Sequence, residues 1–175
     1  MKAIAVVLKE PEQVAVTQLA LSARSDGDVV VDIEWSGIST GTERLLWSGR
    51  MPPFPGMGYP LVPGYESVGR VVDAGDRSAL SVGERVFIPG AHCFEGARSV
   101  FGATAARLLV AEQRLVRVDE KLGDQAVLLA LAATAHHAVA APGAALPERI
   151  VGHGVLGRLL ARLTVALGGE PPVVW

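Results

Sequence analysis

Apolar and polar residues alternate in short runs through the first two thirds of the chain. Lys2 to Leu8 is rich in Val, Ile and Ala and predicts a strand. Gln13 to Leu21 alternates with the two-residue period of a half-buried second strand, and Val29 to Trp35 continues as a third after the Ser25-Asp26-Gly27 turn. Ser36 to Glu43 is a polar, glycine-broken corner in which Thr42 can cap a short helix from Glu43 to Trp47. Met51 to Pro63 holds five prolines and two glycines and is expected to be a loop with little regular structure. A glycine-punctuated strand from Gly64 to Gly75 follows, then a tight turn and strand from Leu80 to Ile88. Two further strands are expected at Ala106 to Ala111 and Arg114 to Val118. Many short strands at this spacing predict a small β-barrel or sandwich.

The period changes near Leu122. Asp124 can cap a helix through Leu131, and Thr134 to Ala141 begins another that Pro142-Gly143 ends. A short apolar run, Arg149 to Val151, then enters Gly152-His153-Gly154-Val155-Leu156-Gly157, and Arg158 to Leu167 reads as a helix before Gly168-Gly169 and a second apolar run, Pro172 to Trp175. This is the glycine order of a dinucleotide-binding turn. Gly152 lets the chain reverse, Gly154 lets a pyrophosphate approach the backbone, and Gly157 lets helix and strand pack closely. The phosphate would rest on the N–H groups at the helix start, around Val155 and Leu156. A helix that merely starts after a glycine turn is the plainer alternative; the strand before and the strand after favour the nucleotide.

The pattern thus predicts a mixed chain: an all-β domain over residues 1–122, a helical junction over 123–145, and the first βαβ unit of a Rossmann domain over 146–175. The residue that reads the ribose is expected about 20 positions past the fingerprint. Only 18 residues follow Gly157, so the choice between NAD and NADP is not written here. The chain is expected to be the front part of a longer enzyme, with little activity alone. The strand edge beside Val173-Val174 leads us to expect domain exchange or a homodimer.

Composition narrows the function classes. Half of the 175 residues are hydrophobic and 19% charged, enough for a sizeable core. A net charge of −2 argues against nucleic acid as a partner. The single cysteine, Cys93, excludes an internal disulfide framework and a four-cysteine zinc lobe, and fits a reducing, cytoplasmic setting. The apolar run Ala3 to Leu8 is too short for a signal peptide, and His136-His137 interrupt Ala126 to Ala135 before it could span a bilayer, so no membrane segment is expected.

Taken in order, Gly37-Ile38-Ser39, Gly64-Tyr65-Glu66, the Gly69 to Gly75 strand, Val82-Gly83-Glu84-Arg85-Val86, Thr134 and the Gly152 to Gly157 turn resemble the medium-chain dehydrogenase/reductase superfamily, in which a GroES-like β-domain precedes a Rossmann domain. The resemblance covers the whole chain. It implies that zinc members carry a cysteine at Ser39, a histidine at Tyr65 and a third ligand at Ala130; Glu66 alone remains of that set. Serine, phenol and alanine cannot build a tetrahedral N/S site, so no zinc is expected. His92 and Cys93 are adjacent and are read as ordinary loop residues.

More narrowly, S-G-I-S-T-G-T-E, P-L-V-P-G-Y-E-S-V-G, F-I-P-G-A-H-C-F, T-A-H-H-A-V and G-H-G-V-L-G-R-L are similar to the dehydrogenase family that oxidises the C3 hydroxyethyl group of a bacteriochlorophyllide to acetyl, with a nicotinamide acceptor. That resemblance implies NAD as cofactor, NADP being open, and a bacteriochlorophyllide-type substrate. Tyr65 would touch the alcohol, with Glu66 beside it. A phenol is ordinarily protonated at neutral pH, so it would need a relay; Ser39, Thr40 and Thr42 could supply one, although Gly41 falls where many relatives place a relay hydroxyl. Thr134 would lie near the nicotinamide, a role compatible with a helix N-cap. His136 or His137, about 100° apart on a helix, could take the proton or ligate a chlorophyllide magnesium. Trp47, Phe54 and Tyr59 could wall the macrocycle, or simply pack. Two alternatives stay open: a zinc-free quinone or enoyl reductase of the same superfamily, and a non-catalytic nucleotide-binding scaffold.

Overall fold

A computed structural model describes residues 1–140, 143 and 145–175. They form two compact units, Met1–Val127 and Leu128–Trp175.

The first unit runs β1 (Lys2–Glu10), β2 (Gln13–Ala20), β3 (Asp28–Ser36), α1 (Thr42–Trp47), β4 (Leu61–Val62), β5 (Ser67–Asp73), β6 (Arg85–Ile88), β7 (Arg98–Ser99), β8 (Arg107–Ala111) and β9 (Val116–Arg117). One sheet has the order β2-β1-β4-β7 and the other β8-β3-β5-β6-β9. The stretch before β8 stitches them together: the Ala106 N–H donates to the Ile4 carbonyl at 2.8 Å, and the Ala106 carbonyl accepts from the Ile33 N–H at 2.9 Å. Val29, Val30 and Val31 are buried in succession, as are Val86, Phe87 and Ile88, so the central strands are covered on both faces. The hairpin alternates as its sequence does, with Ala3, Ala5 and Val7 inward and Ile4, Val14 and Val16 in solvent. Gly69 is where β5 crosses β3 most closely: a Cβ there would stand 2.2 Å from the Asp32 carbonyl oxygen.

Arg85, its side chain buried, joins the barrel to the segment that leaves it. Its Nε donates to Glu34 at 3.0 Å and its Nη2 to the Gly123 carbonyl at 2.6 Å. Arg70 bridges Glu34 and Glu120 at 2.6 and 2.7 Å. The carboxyl of Glu120 is held below its usual range by the Arg70 guanidinium.

The second unit contains α2 (Leu129–Val139), β10 (Arg149–Ile150), α3 (Val155–Ala166) and β11 (Val173–Val174), with β10 and β11 paired in parallel across α3. Several expectations need correction. The Met51 to Pro63 stretch is not featureless, because Leu61-Val62 pair with β1 and β7; two residues are too few to show a period. Thr42 does not cap α1: Gly41 occupies the cap and no side-chain bond closes it. Asp124 does not open a helix through Leu131; a 3-10 segment kinked at Gly123 spans Glu120–Leu128, and α2 follows. Thr134 is inside α2 and not at its N-cap, its hydroxyl donating back to the Ala130 carbonyl at 3.0 Å. α2 ends at Val139; of the expected end at Ala141 and Pro142-Gly143, Ala141 and Pro142 lie outside the described residues.

Candidate functional site

The polar corner after β3 and the turn before β5 meet in the first unit. The Gly37 N–H donates to the Glu66 carbonyl at 2.7 Å, and a Cβ on residue 37 would lie 2.5 Å from Glu66 Oε2. Glycine is therefore what lets the Glu66 side chain lie across the corner. α1 leaves that corner with the Glu43 N–H bonded to the Ser39 carbonyl at 3.1 Å. This registers Thr42 opposite Tyr65, with Thr42 Oγ1 3.4 Å from the Tyr65 hydroxyl. Of the three hydroxyls in the corner, it is Thr42 that reaches the phenol. Ser39 is half-buried and Thr40 is exposed.

Two carboxyls share this corner. Glu66 is buried, and its Oε1 has no hydrogen-bond partner among the described residues. Both oxygens of Glu43 are likewise buried without a partner. Burial lifts the Glu43 carboxyl to about 7, and the charge of Glu66 adds to the rise. Burial also raises the Glu66 carboxyl, while the Tyr65 hydroxyl pulls it the other way. When protonated, the Glu43 carboxyl is an O–H donor in the same corner, a group that the sequence reading missed. In sequence it is an ordinary acid in the first turn of a helix, and nothing in T-E marks it for burial.

Phe101 was also missed. Its ring centroid is 5.0 Å from that of Tyr65, with the planes tilted by 59°. The aromatics of α1 and the proline-rich loop divide: Tyr59 donates to the Leu46 carbonyl and packs with Met51 and Met57 on Leu8, Leu46, Leu61 and Val100, whereas Trp47 and Phe54 are exposed. Tyr59 therefore anchors the loop, and only the other two keep a free face. Cys93 is buried in the core, where burial pushes its thiol up to about 11 and leaves it unreactive.

In the second unit the three glycines differ in surroundings. Gly152 has φ +115°. A Cβ on Gly157 would fall 1.9 Å from the Gly152 carbonyl oxygen, so the first and third glycines close the turn on each other. Gly154, the N-cap of α3, has open space where a Cβ would point, and no side chain caps the helix. The backbone at Val155 and Leu156 begins α3, and both side chains are exposed. Thr134, His136 and His137 are exposed on α2.

At the positions that the superfamily resemblance assigns to zinc ligands, Ser39, Tyr65 and Ala130 offer a hydroxyl, a phenol and a methyl group. That donor set does not fit zinc. Among the described residues no group of three or more His, Cys, Asp or Glu side chains is placed to hold a metal.

The two sheets and the corner between β3 and β5 define a GroES-like β-domain. The chain belongs to the alcohol dehydrogenase GroES-like domain family, whose model matches residues 25–120. It is 56% identical over 171 residues, 97% of its length, to the 2-desacetyl-2-hydroxyethyl bacteriochlorophyllide A dehydrogenase of Rhodobacter capsulatus, and 53% identical over 180 residues to the protein of that name from Cereibacter sphaeroides. It covers 54% and 57% of those proteins, so it spans about half the length of the curated relatives it matches. Among solved structures, a short chain alcohol dehydrogenase of Escherichia coli CFT073, complexed with NADH, superposes with a TM-score of 0.76 at 20% identity, over 95% of this chain and 54% of that one. No helix among the described residues is long and apolar enough to cross a membrane.

Proposed function

We propose that this chain supplies the substrate corner and the first cofactor turn of a nicotinamide-dependent dehydrogenase. Its substrate is the C3 hydroxyethyl group of a bacteriochlorophyllide, which it oxidises to acetyl without zinc. The likeness over 97% of the chain to the Rhodobacter capsulatus protein carries the substrate assignment; the donor set at Ser39, Tyr65 and Ala130 supports the metal-free part.

The chemistry fits those residues. Oxidation removes a hydride from carbon and a proton from oxygen. A bound nicotinamide supplies the hydride acceptor. The macrocycle conjugated to the reacting carbon stabilises the positive charge that develops there, so the oxygen needs less activation than zinc provides. What the chain must do is orient the alcohol and take one proton. Tyr65 holds the alcohol oxygen by a hydrogen bond, and the Thr42 hydroxyl, 3.4 Å from the phenol, continues the path. Glu66, through Oε1, and Glu43, through both oxygens, offer buried carboxyl oxygens without partners among the described residues and keep a proton exchangeable beside them. Gly152, Gly154 and Gly157 open the start of α3 to a pyrophosphate, held by backbone N–H groups. NAD is the cofactor, with NADP open; His136 serves as a further proton acceptor, and the protein works as a homodimer in the cytoplasm.

The test uses the full-length protein with nicotinamide cofactor and 3-hydroxyethyl bacteriochlorophyllide, following the pigment absorption as the acetyl group joins the conjugation. A shift coupled to cofactor reduction is expected. No shift, with turnover of a quinone, would replace this reading with the reductase, and stoichiometric zinc in active enzyme would remove the metal-free part. Tyr65→Phe should lower kcat about a hundredfold while pigment affinity changes less than about twofold; unchanged kcat takes the phenol out of the proton path.

A further inference from the structure

Phe101 has φ +67°. A left-handed conformation is unusual for a bulky residue, and in a folded protein it persists only where the surroundings over-determine it. Here they do. The Ala91 N–H donates to the Phe101 carbonyl at 2.6 Å. Gly90, on one side, leaves no space for a Cβ, which would stand 2.6 Å from that same carbonyl oxygen. Gly102, next in the chain, would place its Cβ 2.2 Å from the Ala91 carbonyl oxygen. Two glycines thus clear the backbone so that residues 90–91 and 101–102 can lie against each other. This backbone is cheapest with glycine or asparagine at 101.

The phenyl ring does little for the core to offset that cost. It is 39% exposed, and the aromatic it meets is Tyr65. Its centroid distance of 5.0 Å and tilt of 59° make a tilted aromatic pair within contact range. The result is a two-sided aromatic corner: one wall carries the hydroxyl of the candidate site, and the other presents an apolar face to solvent.

We infer that Phe101 is a substrate-positioning residue whose ring, fixed by its left-handed backbone, forms with Tyr65 a corner that takes the edge of a flat conjugated substrate and sets its alcohol against the phenol. The inference rests on the proposed pigment substrate and deepens it. An apolar wall meeting a polar one fits a planar ring with a hydroxyl at its margin, since the ring loses water against Phe101 while the oxygen keeps its partner.

The experiment compares full-length wild type, Phe101→Asn and Phe101→Tyr. Asparagine keeps the left-handed backbone at lower cost and removes the ring; tyrosine keeps the ring. Affinity for 3-hydroxyethyl bacteriochlorophyllide without cofactor is read from its absorption shift, steady-state kinetics are run alongside, and the melting temperature is followed separately. Phe101→Asn is expected to melt no lower than wild type, to bind pigment about tenfold more weakly and to raise KM more than it lowers kcat. Phe101→Tyr is expected to restore affinity to within about twofold. Equal affinity in wild type and Phe101→Asn overturns the inference, as does a wild type that does not bind the pigment. Pigment binding that depends on Phe101 without any turnover would overturn the proposed reaction and leave the corner standing.

Discussion

The two units put their chemistry in different materials. In Met1–Val127 the candidate site is made of side chains, namely Thr42, Glu43, Tyr65, Glu66 and Phe101, fixed by sheets whose central strands are buried on both faces. In Leu128–Trp175 it is made of backbone: three glycines and the uncapped start of α3, with Val151, Val155 and Trp175 largely in solvent. A side-chain site can change its chemistry by substitution while the scaffold stays. A backbone site cannot, because any side chain added at Gly157 meets the Gly152 carbonyl.

That contrast can be pressed by experiment, starting where the effect should be largest. Gly69→Ala drives a Cβ to 2.2 Å from the Asp32 carbonyl oxygen, backbone against backbone with no flexible atom to yield. It should cost more than about 3 kcal/mol and lose most soluble, folded protein; a melting curve close to that of wild type would show that β3 and β5 separate more easily than their packing implies. Gly157→Ala should leave the barrel intact by near-ultraviolet circular dichroism and weaken nicotinamide binding to the full-length protein about tenfold, about 1.4 kcal/mol. Unchanged cofactor affinity would detach the turn from nucleotide binding. The smallest effect concerns Glu43. Its carboxyl is raised to about 7 in the folded chain, so its contribution to stability is full below the ordinary carboxylate range and is lost as pH rises through 7. Glu43→Gln mimics the neutral form. Allowing for residual solvent screening, it should melt like wild type at pH 5 and about 2 °C higher at pH 8; the same difference at both pH values would mean that Glu43 is not neutral when folded.

The order of the elements was legible because strands and glycine turns are local signals. The alternation of Gln13 to Leu21 and the G-H-G-V-L-G turn each report on their own neighbours, and the hairpin and the start of α3 follow from them. The site was legible only where it coincided with such signals or with the superfamily resemblance. Tyr65 and Glu66 stood out by position, but the Thr42 contact depends on how α1 is registered against the turn before β5. Glu43 is remarkable only once its oxygens are seen to be buried. Nothing in S-V-F-G singles Phe101 out; its backbone is held by Ala91, ten positions earlier, outside its immediate neighbours. Thr134 misled for a related reason: a threonine before an apolar run looks like a cap, while the helix had already started at Leu129.

The two hydrogen bonds made by Ala106 also separate two ways in which the barrel can open. Its N–H holds the Ile4 carbonyl in one sheet, while its own carbonyl accepts the Ile33 N–H along β3 in the other, so the amide hydrogen of Ala106 reports on the seam and that of Ile33 on the ladder beside it. Exchange at Ala106 should therefore report the parting of the two sheets, and exchange at Ile33 the separation of β3 from β8.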